Sequence, residues 1–194
     1  MTPLMAKAIW CAIVVGWFVI RYPHQRRSRR VAKVLHCDRS REVLLLGISA
    51  AGLGVIPALY VFGDAFAFAA YPLWPGQAWL GTAVGAAALW MFRRTHNDLG
   101  RNWSVTLEIR EHHSLVTHGV YSRVRHPMYT AFWAWAAAQA LLLPNWFAGF
   151  AGIVGFGVLF FLRVPHEERM MIQTFGDEYR RYMQQTWRVL PGIF

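Results

Sequence analysis

Long stretches without a formal charge alternate with basic segments along this chain of 194 residues. The uncharged stretches cover residues 43–63, 65–92 and 127–162, and residues 3–20 are apolar apart from a single lysine. A hydrocarbon core of about 30 Å needs roughly 20 helical residues to cross it. The two shorter stretches and the N-terminal one therefore predict one span each. The longest is interrupted at Pro144, which predicts a helical hairpin, so the pattern indicates an all-α integral membrane protein with about five transmembrane helices.

The positions of the basic residues predict how these spans are oriented. Every Lys and Arg except that single lysine lies within residues 21–42, 93–125 or 163–194. In a five-span protein these three segments share one side of the membrane, whereas the connections at 64–76 and 144–146 contain no basic residue. The positive-inside rule then places the N-terminus outside and the C-terminus in the cytoplasm. This topology, with binding of anionic lipid, explains the formal net charge of +10 without a nucleic-acid partner.

The composition agrees with a single membrane domain over residues 1–194. Hydrophobic residues make up 56% of the chain and charged residues 15%, which is typical of a membrane protein. We expect three N-terminal spans in residues 1–92, followed in 93–194 by a cytoplasmic loop, the hairpin and a tail. A cleaved signal peptide is disfavoured because no small-residue cleavage site precedes Arg21. The two cysteines imply no disulfide framework, and the sequence leaves the oligomeric state open.

Two polar cytoplasmic segments flank the hairpin, and any chemistry is expected where they meet. In the first, the alternation in residues 103–109 predicts a short extended piece. In the second, Pro165 permits a bend at the membrane exit, and aromatic residues at helical spacing predict an amphipathic helix, lying at the membrane interface or packed on the loop. Glycines between residues 149 and 157 predict close approach of another helix to the last span.

The histidines and carboxylates near the hairpin are the candidate chemical groups. The histidines lack the spacing of a metal site, so we predict no bound metal. No glycine-rich nucleotide fingerprint is present, which argues against a soluble-type Rossmann enzyme. Glu167 and Glu168 are adjacent and follow the predicted end of the last span, where they would also suit the start of a solvated helix.

Four motifs occur in order between about residues 99 and 191: "LGRNWS", "HSLVTHGVYSRVRHPMY", "RVPHEERMM" and "FGDEYRRYMQQTWRVLP". Together they resemble the isoprenylcysteine carboxyl methyltransferase family of integral-membrane methyltransferases. The resemblance implies that S-adenosyl-L-methionine is held between the cytoplasmic loop and the C-terminal segment. It also implies that Arg163 faces the methyl acceptor as the catalytic residue. The cofactor-binding residues that it implies are His113, Ser114, Leu115, Val116, Tyr121, His126, Pro127, Met128, Tyr129 and Glu167.

The implied reaction transfers a methyl group to the carboxylate of a lipophilic, isoprenylcysteine-like acceptor and yields a methyl ester. The acceptor would be a small lipophilic molecule or a lipid-modified substrate that enters from the bilayer. Pro127 is expected to hold His126 and Tyr129 on opposite sides of a bend. Two other enzymes remain open, a phospholipid amine N-methyltransferase and a membrane enzyme of the sterol-reductase kind. A membrane scaffold without enzymatic activity is the non-catalytic alternative.

Overall fold

The computed structural model describes residues 1–28, 39–63, 65–100 and 115–192, and these are almost entirely helical. The extended piece expected at 103–109 lies outside the described residues. Within the described ranges only isolated β-bridges occur, and no strand. The helices are α1 (Pro3–Ser28), α2 (Arg39–Ala50), α3 (Ile56–Gly63), α4 (Pro75–Leu99), α5 (Pro127–Leu142), α6 (Trp146–Phe175) and α7 (Asp177–Gln185). A π-helical turn, Ala51–Val55, joins α2 to α3, and 3-10 turns occupy Ala67–Ala69 and Gly119–Ser122.

In the part of the chain that the structure describes, three helical stretches are long and apolar enough to cross a membrane: Pro3–Arg26, Ser40–Gly63 and Trp146–Phe175. The second of them combines α2, the π-helical turn and α3 into one span. The remaining predicted spans are present as α4, with 25 residues, and α5, with 16, which pack against each other. The all-helical membrane fold is therefore confirmed for the described residues, while membrane crossing by α4 and α5 stays a prediction.

The hairpin between α5 and α6 is confirmed, and Asn145 explains its sharp turn. The fully buried Asn145 side chain accepts hydrogen bonds from the Phe147 and Ala148 amides, at 3.0 and 2.9 Å, and thereby caps α6. Its amide nitrogen also donates to the Phe66 carbonyl at 2.6 Å. One side chain thus starts α6 and ties it to the connection that follows α3.

The last span does not end near Pro165, as the sequence suggested, because α6 continues through this residue to Phe175. Glu167 and Glu168 consequently lie inside a long helix and not at the start of a new one. Pro165 is exposed, and α2 contacts α6 just before it, since Arg41 Nη2 donates to the Leu162 carbonyl at 3.1 Å. A proline inside a helix removes one backbone hydrogen bond, and the helix here continues despite this loss.

Glycines bring α6 into backbone contact with the π-helical turn, as the glycine spacing predicted. A Cβ added to Gly155 would lie 2.7 Å from the Ile48 carbonyl oxygen and 3.2 Å from the Cα of Gly52. The buried Gln139 of α5 reinforces this crossing, since its amide donates to the Gly52 carbonyl at 3.1 Å and to the Ala148 carbonyl at 2.8 Å. The second span therefore sets the position of α6, which carries the candidate site.

Candidate active site

The loop before α5 is anchored on the C-terminal end of α4. Asp98 of α4 accepts a hydrogen bond from the Val120 amide at 2.8 Å. Gly119 has φ +62°, and a Cβ at this position would overlap the Asp98 carboxylate. Only glycine combines this left-handed backbone with such close approach, so the 3-10 turn that carries Tyr121 has a defined position.

The C-terminal segment packs on this loop, which is one of the two positions expected for the tail. Tyr182 of α7 donates from its hydroxyl to the Tyr121 carbonyl at 2.7 Å. After α7 the chain runs beside the residues preceding α5. There the Arg125 amide donates to the Trp187 carbonyl at 2.8 Å, and the His126 amide donates to the Arg188 carbonyl at 3.0 Å. The amphipathic helix therefore packs on the residues before α5 and holds them against the hairpin.

His126 and Tyr129 lie on the same side of the start of α5, which corrects the expectation that they face opposite ways. Pro127 begins α5, and His126 is the residue before it. The rings of His126 and Tyr129 are 5.5 Å apart, and both side chains extend towards the adjacent glutamates of α6. The first turn of a helix returns to the same face after three residues, which explains this arrangement.

Glu168 is enclosed by basic side chains. Arg125 Nε donates to Glu168 Oε1 at 3.1 Å, Arg188 Nη2 donates to Oε2 at 2.7 Å, and His126 Nε2 lies 3.2 Å from Oε1. The Arg125 guanidinium also donates to the carbonyls of Met183 and Thr186. Glu168 is only 5% exposed, so this carboxylate joins α5, α6 and the C-terminal segment into one unit.

Glu167 has a different environment from its neighbour. The Tyr129 hydroxyl donates to Glu167 Oε2 at 2.6 Å, and His126 Nδ1 lies 3.9 Å from Oε1. The Glu167 side chain is 26% exposed, against 7% for Glu168. A carboxylate that is oriented by a tyrosine and still partly accessible is suited to bind a positively charged ligand.

Arg163 lies on α6 one helical turn before Glu167, and its side chain extends to α2. Arg163 Nη2 lies 2.8 Å from Glu42 Oε1, and the two side chains are only 10% and 8% exposed. Sequence reasoning missed Glu42. The available signal was its position as the last charged residue before an uncharged stretch, next to the segment that should face the site.

The other predicted site residues that the structure describes differ in burial. Burial, and secondarily the negative charge of Glu167, raise the pKa of Tyr121 well above its usual range, so its hydroxyl stays neutral. Pro127 is fully buried, and Met128 beside it is half-buried. Leu115 and Val116 are half-buried residues of the irregular segment before the 3-10 turn. His113 and Ser114 lie outside the described residues.

The fold and the site together define an all-helical membrane protein with a polar cluster at the mouth of the α5–α6 hairpin. The mouth is the end where α5 begins, opposite the turn that joins the two helices. Residues 79–173 match the model of the isoprenylcysteine carboxyl methyltransferase family. This match confirms the resemblance found in the motifs.

Relatives in several organisms support the assignment of this region. The chain is 39% identical over 96 residues to protein-S-isoprenylcysteine O-methyltransferase B of Arabidopsis thaliana. The aligned residues cover 48% of this chain and 49% of the relative. It is 37% identical over 90 residues to protein-S-isoprenylcysteine O-methyltransferase of Dictyostelium discoideum, covering 44% of this chain and 36% of the relative. The Schizosaccharomyces pombe protein of that name is 26% identical over 191 residues, covering 96% and 68%.

A solved structure shares the fold. It is the eukaryotic intramembrane Ras methyltransferase, isoprenylcysteine carboxyl methyltransferase, with a TM-score of 0.52 and 23% sequence identity. The match covers 82% of this chain and 55% of that one. The chain thus spans about half the length, or less, of the first two relatives, and about half of the solved structure.

Proposed function

We propose that this protein is an integral-membrane methyltransferase that transfers a methyl group from S-adenosyl-L-methionine to the carboxylate of a lipophilic, isoprenylcysteine-like acceptor. The observation that carries the proposal is the pair formed by Glu167 and Arg163. A partly exposed carboxylate and a buried guanidinium lie one helical turn apart at the mouth of the hairpin. Both residues fall within the stretch that matches the family model.

The side chains around Glu167 fit a cofactor that carries a sulfonium and an ammonium group. Glu167 supplies negative charge, Tyr129 holds it in place, and the neutral Tyr121 and the edge of His126 supply hydrogen-bonding groups. When bound, the cofactor supplies a methyl group activated by the positive sulfur. Glu167 would attract the ammonium group, which the demethylated product S-adenosylhomocysteine also carries, and the tyrosines would help to keep water away from the sulfonium. The other proposed binding residues are His113, Ser114, Leu115, Val116, Pro127 and Met128.

Arg163 is proposed to bind the acceptor carboxylate. A carboxylate is already an anionic nucleophile, so the reaction requires orientation and exclusion of water more than a general base. A guanidinium presents parallel N–H donors to both carboxylate oxygens, and the surrounding low-dielectric medium strengthens that contact. Arg163 would in this way direct one oxygen of the acceptor towards the methyl group.

The apolar part of the acceptor is proposed to enter from the bilayer along the α5–α6 face. Trp133 of α5 contacts Phe160 and Phe161 of α6, with ring centroids 5.6 and 6.4 Å apart. Phe161 is 64% exposed, so this aromatic layer extends to the lipid-facing surface two residues before Arg163. The proposed orientation places this mouth on the cytoplasmic side and the N-terminus outside, as the basic segments predict.

Binding and product analysis with detergent-purified protein test the proposal. We expect S-adenosylhomocysteine to bind in calorimetry, and labelled cofactor with N-acetyl-S-farnesylcysteine to yield a base-labile methyl product. Arg163→Gln should retain S-adenosylhomocysteine binding and lose ester formation. A base-stable product from phosphatidylethanolamine would instead identify an amine methyltransferase. Absence of S-adenosylhomocysteine binding to folded protein would refute methyl transfer from this cofactor, and binding of a reduced nicotinamide in its place would indicate a reductase.

A further inference from the structure

We propose that Glu42 of α2 is a positioning residue that keeps Arg163 away from Glu167. In this arrangement Glu167 remains available for the cofactor and Arg163 for the acceptor. The inference rests on the proposed function, to which it adds a residue outside the stretch that matches the family model.

The helical spacing of Arg163 and Glu167 makes the observed pairing informative. Residues four apart on a helix are neighbours, and oppositely charged side chains at this spacing form ion pairs. The ion pair of Arg163 nevertheless runs to Glu42 on another helix, at 2.8 Å. Glu167 instead accepts from Tyr129 at 2.6 Å and remains 26% exposed. Glu42 thus competes with Glu167 for the same guanidinium.

The start of α2 is well placed to hold Arg163 in this orientation. Glu42 lies in the first turn of α2, where the helix dipole stabilises a negative charge. The preceding residue, Arg41, donates to the Leu162 carbonyl at 3.1 Å, so two consecutive residues of α2 contact two consecutive residues of α6. Both charged side chains of the ion pair are about nine-tenths buried, which strengthens their attraction relative to an exposed pair.

The geometry of a guanidinium allows this contact to coexist with acceptor binding. Arginine has five N–H donors around a planar group, and Glu42 is bound through Nη2. The acceptor carboxylate is proposed to bind through N–H donors other than the one that Glu42 engages. Methylation then turns the acceptor carboxylate into a neutral ester, which loses its attraction to Arg163, whereas Glu42 keeps its charge and holds the guanidinium between turnovers.

A suppressor experiment separates positioning from a purely structural contribution. In Glu42→Gln we expect Arg163 to swing onto Glu167 and to raise the dissociation constant for S-adenosylhomocysteine about tenfold, the scale of a partly buried charge contact. Adding Arg163→Gln removes the competing cation. The double variant should therefore bind within about twofold of Arg163→Gln alone, because neutral side chains at both positions leave no displaced charge.

Two further variants keep the test decisive. Asp177→Asn removes the carboxylate of an exposed ion pair with Arg180 and should bind S-adenosylhomocysteine like the wild type. Glu42→Asp keeps the charge but shortens its reach, so we expect about a threefold increase in the dissociation constant, again reversed by Arg163→Gln. If Glu42→Gln does not fold, Glu42→Asp alone and Glu42→Asp combined with Arg163→Gln take its place.

Each result has a distinct meaning. Wild-type affinity in folded Glu42→Gln would overturn the inference and leave the proposed function intact. Weaker binding that Arg163→Gln fails to restore would overturn it as well, because Glu42 would then act through the fold alone. A wild-type protein that does not bind S-adenosylhomocysteine would refute the proposed function itself, and the inference with it.

Discussion

Glutamine in place of Glu168 is expected to destabilise the fold, whereas glutamine in place of Glu167 is expected to weaken cofactor binding. Glu168→Gln removes the negative charge that Arg125, Arg188 and His126 surround at 2.7 to 3.2 Å. The Arg125 side chain is 9% exposed, so its charge would stay buried with no compensating carboxylate at this position. Glu167→Gln keeps an oxygen that can accept from Tyr129 and changes only a partly exposed group.

The magnitudes follow from burial. Removing one member of a buried ion pair costs about 3–5 kcal/mol. For a chain of this size each kcal/mol lowers the unfolding temperature by about 2–4 °C, so Glu168→Gln should lower it by roughly 6–20 °C. Glu167→Gln should cost less than about 1 kcal/mol, because the side chain is partly solvated. It should weaken S-adenosylhomocysteine binding by about 10- to 100-fold, as expected for loss of a charge-assisted contact.

Both properties can be measured on the same detergent-purified samples. Thermal unfolding reports on the free energy of the fold, and calorimetry with S-adenosylhomocysteine reports on the site. Binding should be measured well below the lower unfolding temperature, so that both variants are folded. Glu167→Gln should be as stable as the wild type but bind weakly. Glu168→Gln should be destabilised but still bind when folded.

Reversal of these two phenotypes would refute the division of roles. If Glu168→Gln unfolded at the wild-type temperature, the Arg125–Glu168–Arg188 cluster would not hold the C-terminal segment in place. If Glu167→Gln bound S-adenosylhomocysteine with wild-type affinity, the partly exposed carboxylate would not contact the cofactor.

Two further substitutions test the elements around the site. Tyr129→Phe removes the hydroxyl that orients Glu167 and should weaken S-adenosylhomocysteine binding roughly tenfold in calorimetry, within the range of a hydrogen bond to a charged group. Unchanged affinity would show that this contact is dispensable. Gly119→Ala should destabilise the protein by about 1–3 kcal/mol in thermal unfolding, because φ is +62° and the Cβ overlaps Asp98. Gly47→Ala, inside α2 and with no atom within 4 Å of the added Cβ, is its control and should leave stability unchanged or raise it by up to about 1 kcal/mol.

The membrane helices were predictable because their signal is local. A stretch without charge as long as residues 43–63 is typical of a transmembrane helix and not of a soluble protein, and Pro144 indicated the position of the hairpin turn. The glycines of α6 likewise indicated a helix contact, which the backbone of Gly155 makes with the π-helical turn. In each case the prediction needed only residues that are close together in the sequence.

The continuation of α6 through Pro165 was not predictable, because it depends on distant residues. A proline after an apolar run normally favours a helix boundary or a kink. Here α6 is held by other helices near the proline, for example by Arg41, which donates to the Leu162 carbonyl from 121 positions earlier in the chain. Contacts between residues so far apart leave no trace in the periodicity of the sequence.

The site was only partly accessible from sequence for a similar reason. His126, Tyr129 and Glu167 were expected to share a site, and the structure brings them together, while their contact with a cofactor stays a prediction. The contrast between Glu167 and Glu168 depends on Arg188, which reaches the cluster through backbone pairing of the C-terminal segment with the loop. Identical neighbouring residues cannot be distinguished without knowing which one faces this segment.

The involvement of α2 shows that the family-matched stretch does not form the site alone. Residues 79–173 contain Arg163, yet its ion-pair partner Glu42 lies on the second span, outside that stretch. Replacing a buried ion pair by apolar side chains of similar size is often neutral or stabilising, so stability alone is a weak reason to keep one. The proposed function gives a stronger reason, since Arg163 would then have to meet an anionic acceptor beside a carboxylate that binds a cationic cofactor. The contact between Gly52 and Gly155 sets how α2 and α6 pack, and this packing brings Glu42 within reach of Arg163. On this proposal the N-terminal half would contribute to charge separation at the site as well as to membrane anchoring.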